Sequence, residues 1–197
     1  MKIIGITGNS GSGKSSVSEI IAKKCDNSII IDADKIAKIM ASINTKYYNA
    51  IKKEFGKDIL KANLEIDRKK LANIIFNNDE KRDVLNRITF KYVVSNIKQK
   101  INLNKDKEVI ILDIPLLFES GLDEICDITL GIIADKNVKI ERICKRDKIN
   151  INQAENRINK QLEDKILEKN CNYIIENNGS LKELNEKLQN FIIHLKI

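Results

Sequence analysis

Histidine, tryptophan and proline are almost missing from this chain of 197 residues, which has one histidine, one proline and no tryptophan. The lone histidine, His194, has no second imidazole with which to share a metal ion, so a zinc centre built on several histidines is excluded. Aromatic residues make up only 5% of the chain. That fraction is too small for the rows of stacking side chains that bind single-stranded nucleic acids.

Cysteine is present, but its spacing does not suit a structural framework. The four cysteines are Cys25, Cys126, Cys144 and Cys171, and no two of them form a C-x-x-C pair. Such wide spacing favours neither a zinc site nor a disulfide framework. It predicts buried, reduced thiols.

Long apolar runs are also missing. No stretch approaches the roughly 20 apolar residues of a membrane span, and the first residues, MKIIGIT, lack the basic, apolar and small-residue regions of a signal peptide. We therefore expect a cytoplasmic protein without a membrane partner. The length, with 42% hydrophobic and 32% charged residues, is typical of one globular domain with insertions.

The charge pattern gives little support for a nucleic-acid partner. The formal net charge is +7, but 35 basic residues are interleaved with 28 acidic ones along the chain. No basic stripe stands out, although such a stripe is the usual footprint of nucleic-acid binding. Solvated surfaces and sites for a phosphate-bearing small molecule explain the excess of positive charge, and no nucleic-acid partner is expected.

A glycine-rich loop near the start carries the strongest chemical signal. The apolar run Lys2–Thr7 predicts a strand, and residues 8–15, GNSGSGKS, match G-x-x-x-x-G-K-[ST] before a helical pattern. In such a P-loop, backbone N–H groups and the positive end of the helix dipole surround a phosphate chain. Lys14 is expected at the outer phosphates and Ser15 at Mg²⁺. The predicted ATP-binding residues of this loop are Gly11, Ser12, Gly13, Lys14, Ser15 and Ser16.

Carboxylates follow two of the later apolar runs. The run at 28–31 ends in Asp32-Ala33-Asp34, and the run at 108–112 ends in Asp113. The carboxyl ends of parallel strands are where open sheets bind their ligands. Asp34 could accept the proton of an attacking hydroxyl, while Asp32 or Asp113 could support the metal together with Ser15. Which of Asp32 and Asp113 does so stays open.

The aspartates that follow these two apolar runs could instead have purely structural roles. Aspartate is a preferred helix N-cap, so one of these aspartates, for instance Asp34 alone, could cap a helix predicted from Lys35 to Ser42. Both the chemical and the capping role are possible if Asp32 and Asp34 divide them. Asp113 could merely mark the turn before Pro115, the only proline.

A long helical block separates the second and third predicted strands. From residue 44 to residue 105 the apolar residues recur with helical spacing and strand signals nearly vanish. The block is too long for a simple crossover helix, so we interpret it as a helical insertion that binds the acceptor. A helical cover without a binding role is the alternative.

Arginines at helical spacing predict a lid. Arg142 and Arg146 are four residues apart, and so are Arg157 and Gln161, which places each pair on one helix face. Arginines above a phosphate loop would offset the charge of a transferring phosphoryl group. Alternatively they lie on ordinary solvated faces, where Glu141 and Asp147 could pair with Arg142 and Arg146.

The remaining runs complete an α/β arrangement. Further strands are predicted at 128–134 and 173–175, and a capping box at Ser180 opens a last helix. The predicted fold is a P-loop NTPase fold, with a five-stranded parallel sheet flanked by helices, a helical insertion and a small helical lid. The predicted nucleotide-binding core comprises 1–43, 106–141 and 168–197, the acceptor-binding insertion is 44–105, and the lid is 142–167.

Taken together, these motifs resemble the dephospho-CoA kinase family nearly from end to end. The P-loop alone is shared by many unrelated enzymes, whereas D-A-D followed by P-L-L-F-E and then by R-x-x-x-R-D is far more specific. The matching pieces are Gly5–Gly8 with Gly11–Ser15, Asp32–Asp34 with Ile36-Ala37, Ile66–Arg68 with Leu71 and Phe76, Pro115–Glu119, Arg142 with Arg146-Asp147, Arg157-Ile158 with Gln161, Lys165, and Ile174-Ile175 with Asn177.

The resemblance implies a reaction and a set of roles. The reaction is ATP-dependent phosphorylation of the ribose 3′-hydroxyl of dephospho-CoA, which gives coenzyme A, with Mg²⁺ present. Asp34 would be the general base, Arg142 and Arg146 would contact the ATP phosphates, and Asn177 would lie by the adenine. The catalytic set is Asp34, Lys14, Arg142 and Arg146. The acceptor-binding set is Asp34, Arg68, Pro115, Leu116, Leu117, Glu119 and Arg157. We expect a monomer or a weak homo-oligomer.

The chain departs from the family pattern in two places. Leu85-Asn86-Arg87-Ile88-Thr89 is followed by Phe90-Lys91 where the family usually has His-Pro, and Cys171-Asn172 replaces a common Ala-Asp.

Two other functions stay open on sequence grounds. One is another P-loop nucleoside or small-molecule kinase, and the other is a nucleotide-dependent switch protein. The guanine-reading motif N-K-x-D does not appear in the sequence. Its nearest candidate, Ala134-Asp135-Lys136, does not fit the motif.

Overall fold

The computed structural model describes residues 1–161 and 163–196. Its strands are β1 (Lys2–Gly8), β2 (Ser28–Asp32), β3 (Val109–Asp113), β4 (Ile128–Ile133) and β5 (Tyr173–Glu176). Its helices are α1 (Lys14–Lys24), α2 (Ala33–Met40), α3 (Lys46–Phe55), α4 (Arg68–Asn77), α5 (Asp79–Leu103), a 3-10 helix (Asp123–Ile125), α6 (Lys136–Asp147), α7 (Ile151–Ile158), α8 (Asp164–Asn170) and α9 (Leu181–Leu195).

The strands form one sheet in the order β2-β3-β1-β4-β5. The central strand β1 pairs in parallel with β3 on one side and with β4 on the other, and β4 pairs in parallel with β5. Both sides of a parallel sheet are covered, which is why its strands are apolar throughout; Ile4 and Ile6 of β1 have no exposed surface. The predicted five-stranded parallel P-loop fold is confirmed.

The sheet register brings the polar ends of the central strands together. Ile6 of β1 lies opposite Asp113, the last residue of β3, and Gly8 lies opposite Ile132 of β4. The P-loop leaves β1 at this same edge. The register therefore places Asp113 beside the beginning of the P-loop.

Helices α1 and α9 supply much of the core beside the sheet. Val17 and Ile21 of α1, together with Leu188 and Ile192 of α9, belong to one apolar cluster with the sheet residues. The edge strand joins this cluster through Tyr173, whose ring meets Phe191 edge-on with centroids 5.4 Å apart. The P-loop is thus carried by a strand and a helix that are both anchored in the core.

The chain divides into two compact units. One unit comprises Met1–Ile31 with Asn104–Ile197, and the other is Asp32–Leu103. The second unit is helical and has its own apolar core, in which Tyr48, Ile51 and Ile59 are almost fully buried. The segments proposed above as core, insertion and lid have slightly different limits, and their functional division stays a prediction.

The first turn of α2 shows which aspartate caps the helix. The backbone N–H of Lys35 donates to Asp32 Oδ1 at 2.9 Å, so Asp32 is the N-cap and the helix begins at Ala33. The cap is thus one of the two expected aspartates but not Asp34, and the predicted helix start at Lys35 is wrong. The chain needs its capping side chain immediately after β2, and Asp32 is the first carboxylate there. Asp34 instead lies, exposed, in the first turn of α2.

Within residues 1–161 and 163–196, no helix combines the length and the apolar character needed to cross a membrane.

All four cysteines are free thiols. Burial raises the pKa of Cys126 to about 12 and that of Cys171 to about 11, which makes both thiols unreactive at neutral pH.

We expect Leu188→Ala to lower the free energy of unfolding by about 2–5 kcal/mol, because it leaves a cavity in the core beside the sheet. Leu188 has no exposed surface, whereas Leu181 on the same helix is 65% exposed. Leu181→Ala is therefore the matched control and should change stability by only about 0.5 kcal/mol. Urea unfolding followed by circular dichroism measures both. Equal midpoints for the two variants would contradict this account of the core.

Candidate active site

The P-loop requires glycine at two positions. Gly11 and Gly13 have φ angles of 82° and 93°, in the left-handed region that favours glycine. A Cβ atom on Gly11 would lie 2.6 Å from the carbonyl oxygen of Lys139, and one on Gly13 would collide with the side-chain amide of Asn177. The loop therefore passes close to two neighbouring elements, α6 and the segment after β5.

The loop ends at the N-terminus of α1. Gly13 is the residue before the helix, and among the described residues no side chain caps this end. The first N–H groups of the helix are consequently available as donors, and the helix dipole adds positive potential. Ser15 and Ser16 are exposed in this first turn. Such an arrangement can bind a phosphate group.

Lys14 is held by a buried carboxylate. Its ammonium group contacts Asp113 Oδ1, and the hydroxyl of Ser18 donates to Asp113 Oδ2 at 3.1 Å. Asp113 is 2% exposed, so its charge needs these partners. Lys14 and Ser18 are four residues apart and share one face of α1. The pair orients the lysine at the base of the loop.

Two further side chains bond directly to the loop backbone. Arg142 Nη1 donates to the carbonyl oxygens of Gly11 at 3.3 Å and Ser12 at 3.5 Å. Asn177 Nδ2 donates to the carbonyl of Ser12 at 2.7 Å. Both residues were predicted to lie at the ATP site, and the structure brings both to the P-loop. Arg142 does so from α6 and Asn177 from the end of β5.

Arg146 and Arg157 both bond to the carboxylate of Asp147. Arg146 Nε and Nη2 donate to the two carboxylate oxygens of Asp147 at 2.8 and 2.9 Å, and Arg157 also bonds to this carboxylate. The hydrogen bond from Arg146, aided by its charge and by Arg157, lowers the pKa of Asp147 to about 2. Pairing of Arg146 with Asp147, given above as an alternative, is therefore present. Contacts of Arg146 with ATP and of Arg157 with the acceptor stay predictions.

The helical unit contains a large cavity of about 1070 Å³. Its charged lining comprises the basic residues Lys38, Lys61, Arg68 and Lys69 and the acidic residues Asp34, Glu65 and Asp67. Its apolar lining comprises Ala37, Ala41, Ile43, Tyr47, Ile51, Ile66, Leu71 and Leu85. The cavity thus offers charged groups of both signs and apolar surface, and its volume suits a bound organic molecule.

Tyr47 places a hydroxyl among the lining residues of this cavity. Its hydroxyl lies 2.9 Å from Thr89 Oγ1, and either oxygen can donate. Burial raises the pKa of Tyr47, against the opposing influence of the Thr89 hydrogen bond and the Arg68 charge. Tyr47 therefore stays neutral at physiological pH. Sequence reasoning missed it, because an aromatic residue at helical spacing is typical of ordinary core.

The segment after β3 is partly core. Leu117 has no exposed surface, and a Cβ atom on Gly5 would lie 2.9 Å from it. The carbonyl of Pro115 accepts a hydrogen bond of 3.0 Å from the hydroxyl of Thr7. Leu116 is half-buried and Glu119 is exposed. The assignment of these residues to acceptor binding stays a prediction.

The oxygen donors fit a magnesium ion that arrives with a nucleotide. Among the described residues, no group of three or more His, Cys, Asp or Glu side chains could form a metal cage. Mg²⁺ typically takes one or two carboxylates and keeps several waters and substrate phosphates as ligands. Asp113 and the exposed Ser15 are hard oxygen donors of this kind. Asp32 is one as well, although its Oδ1 caps α2.

Comparison with known proteins gives a consistent result. The dephospho-CoA kinase family model matches residues 2–183. A dephospho-CoA kinase of Fusobacterium nucleatum is 43% identical over 189 residues, which cover 96% of each chain. One from Oryza sativa is 37% identical over 191 residues, covering 96% of this chain and 82% of that protein.

Solved structures agree with this comparison. Dephospho-CoA kinase from Campylobacter jejuni is 31% identical with a TM-score of 0.68, over 99% of this chain and 98% of that one. TT1252 from Thermus thermophilus is 26% identical with a TM-score of 0.79, over 98% and 97%. Shikimate kinase from Acinetobacter baumannii shares the fold at 15% identity, with a TM-score of 0.57 over 100% and 96% of the two chains.

We expect Gly13→Ala to weaken ATP binding by roughly tenfold or more, because alanine is strained at this φ and its methyl group displaces Asn177 from the loop. Gly121→Ala is the matched control, since Gly121 also has a positive φ, of 66°, but a Cβ atom there would have nothing within 4 Å. Isothermal titration with ATP measures both. If both variants bind ATP equally well, the close contact with Asn177 does not explain the glycine.

Proposed function

The chain belongs to the dephospho-CoA kinase family, and from this premise we infer that it transfers a phosphoryl group from ATP to the ribose 3′-hydroxyl of dephospho-CoA, giving coenzyme A. The observation that carries this conclusion is the family match over residues 2–183, which spans both the P-loop and the helical unit. We further propose that each part of the reaction is performed by the residues assigned to it below.

The donor is held by the P-loop and its neighbours. N–H groups at the start of α1 and the ammonium group of Lys14 bind the β- and γ-phosphates of ATP. Arg142, already bonded to the loop carbonyls, lies where it can offset charge on the transferring group. Such a site acts by positioning and electrostatic stabilisation, since phosphoryl transfer asks for little covalent chemistry from the protein. Arg146 supplies further charge, and Asn177 contacts the adenine.

Magnesium would be held by Ser15 and by waters oriented by Asp113 or Asp32. The ion would supply positive charge that offsets the charge of the phosphates. Asp113 is well placed for this role because it already lies against Lys14.

The acceptor binds in the cavity of the helical unit. Dephospho-CoA carries a negatively charged diphosphate and a long, mostly uncharged pantetheine arm. The diphosphate is bound by the basic side chains of Lys38, Arg68 and Lys69. The arm contacts the apolar surface of Tyr47, Ile51 and Leu71. Asp34 lines the same cavity and accepts the proton of the 3′-hydroxyl as the general base.

We also propose a cytoplasmic protein that is a monomer or a weak homo-oligomer. The free thiols support the cytoplasmic assignment, because cysteines stay reduced there. No nucleic-acid partner is proposed. No specific observation favours another small-molecule kinase or a switch protein.

The acceptor is tested with a coupled assay that detects ADP formed from ATP. Dephospho-CoA should give strong turnover, while adenosine, cytidine and shikimate should give little, because they lack the diphosphate and the pantetheine arm. Mass spectrometry of the product should show one added phosphate. Background ADP release with dephospho-CoA, together with turnover of another acceptor, would overturn the proposed function.

We expect Asp34→Asn to lower kcat by roughly 10²–10⁴-fold, because the acceptor hydroxyl loses its general base. The Kd for ATP should not change, since the substitution keeps the size of the side chain and Asp34 has no proposed contact with ATP. Asp83→Asn is the control, because Asp83 is exposed on α5 and does not line the cavity. Steady-state kinetics measure kcat for both variants. Normal turnover by Asp34→Asn would show that another group accepts the proton.

A further inference from the structure

The first two variable positions of the P-loop are held by side chains from outside the loop. The side-chain amide of Asn9 donates to Asp164 Oδ1 at 2.9 Å. The backbone N–H of Ser10 donates to Gln161 Oε1 at 3.0 Å, and Gln161 Nε2 donates back to Ser10 Oγ at 3.3 Å. We call Asn9 and Ser10 the outer arm of the loop. Its conformation is thus fixed by a segment that lies far away in sequence.

Asp164 has a second partner that makes it more than a surface contact. Its Oδ2 accepts from Lys139 Nζ at 2.7 Å, while Oδ1 binds Asn9. The Lys139 side chain is 6% exposed, and that of Asp164 is 27% exposed. A buried ammonium group needs a counter-ion, and losing one partner of such a pair is strongly destabilising. One carboxylate therefore serves both the loop and a buried cation on α6.

Lys139 and its helix also touch the other half of the loop. The backbone of Lys139 lies against Gly11, where a Cβ atom would be 2.6 Å from the lysine carbonyl. Arg142, three residues further along α6, bonds to the carbonyls of Gly11 and Ser12. A shift of α6 would consequently move the part of the loop that faces the phosphates.

We propose that Gln161 and Asp164 are positioning residues of the ATP site. They hold the outer arm, and through Lys139 they seat α6, so that the N–H groups of the loop already point into one concavity when ATP arrives. Neither residue needs to contact ATP for this role. The energetic effect is preorganisation, because a loop ordered in advance loses less entropy on binding. The inference rests on the proposed function only in taking ATP as the donor.

The first test replaces the uncharged member of the pair. Gln161→Ala removes both hydrogen bonds to Ser10 and should raise the Kd for ATP roughly tenfold. The KM for dephospho-CoA and the melting temperature should stay close to those of the parent. Gln189→Ala is the matched control, because Gln189 accepts an exposed hydrogen bond from Lys24, at the opposite end of α1 from the P-loop. ATP binding is measured by isothermal titration without any acceptor.

The second test separates positioning from stability. Asp164→Leu leaves Lys139 buried without its counter-ion and should lower the melting temperature. The double variant Lys139→Met with Asp164→Leu replaces the ion pair by apolar side chains, which is often neutral or stabilising. Its melting temperature should recover, while its ATP affinity stays low because Asn9 has lost its hydrogen bond to Asp164.

Either of two results would overturn the proposal. One is an ATP affinity of Gln161→Ala equal to that of the Gln189→Ala control. The other is a double variant that regains both stability and ATP affinity, since Asp164 would then be structural only. Because these titrations contain no acceptor, failure of the chain to phosphorylate dephospho-CoA would leave their outcome intact. The two proposals can therefore fail separately.

Discussion

The buried ion pair of Lys14 and Asp113 is the interaction on which the nucleotide site depends. The side chains are 11% and 3% exposed, so each charge is largely removed from water. An unpartnered charge in such a place costs several kcal/mol, about as much as a small domain's margin of stability allows. The pair forms only when β3 lies beside β1 in the observed register and α1 follows the loop directly. The sheet, the loop and the first helix are therefore specified together.

The contacts of Lys14 and Arg142 also affect how a nucleotide can bind. Lys14 has a carboxylate partner, and Arg142 has carbonyl partners, before any phosphate is present. Lys14 can keep Asp113 as a partner and still offer donors to a phosphate, because an ammonium group has three of them. Arg142 can retain one loop carbonyl and still offer other N–H groups, because a guanidinium has five donors. The site is consequently preorganised without being closed to its ligand.

Local patterns predicted much of this site, whereas pairings between distant segments could not be predicted. The P-loop and the strand ends at Asp32 and Asp113 follow from motif spacing and apolar runs, which act over a few residues. The contact of Asp113 with Lys14 and Ser18 depends on strand order, which periodicity does not reveal. The helical spacing of Arg142 and Arg146 also did not reveal that the two side chains have different partners. Arg142 and Arg146 lie on one face of α6, yet Arg142 bonds to the loop and Arg146 pairs with Asp147.

In the proposed function, the helical unit supplies the selection of the acceptor, which the fold alone does not determine. A shikimate kinase shares the fold at 15% identity, so a P-loop and parallel sheet do not select an acceptor. Selection requires a cavity of suitable charge and shape, and here that cavity belongs to a unit with its own core. Asp34 belongs to this same unit, whereas Lys14 and Arg142 belong to the other. In the proposed mechanism, the proton acceptor therefore belongs to the unit whose cavity would bind the acceptor. Under that proposal, the general base and the acceptor would be held by the same unit, which would favour transfer to a bound hydroxyl over transfer to water.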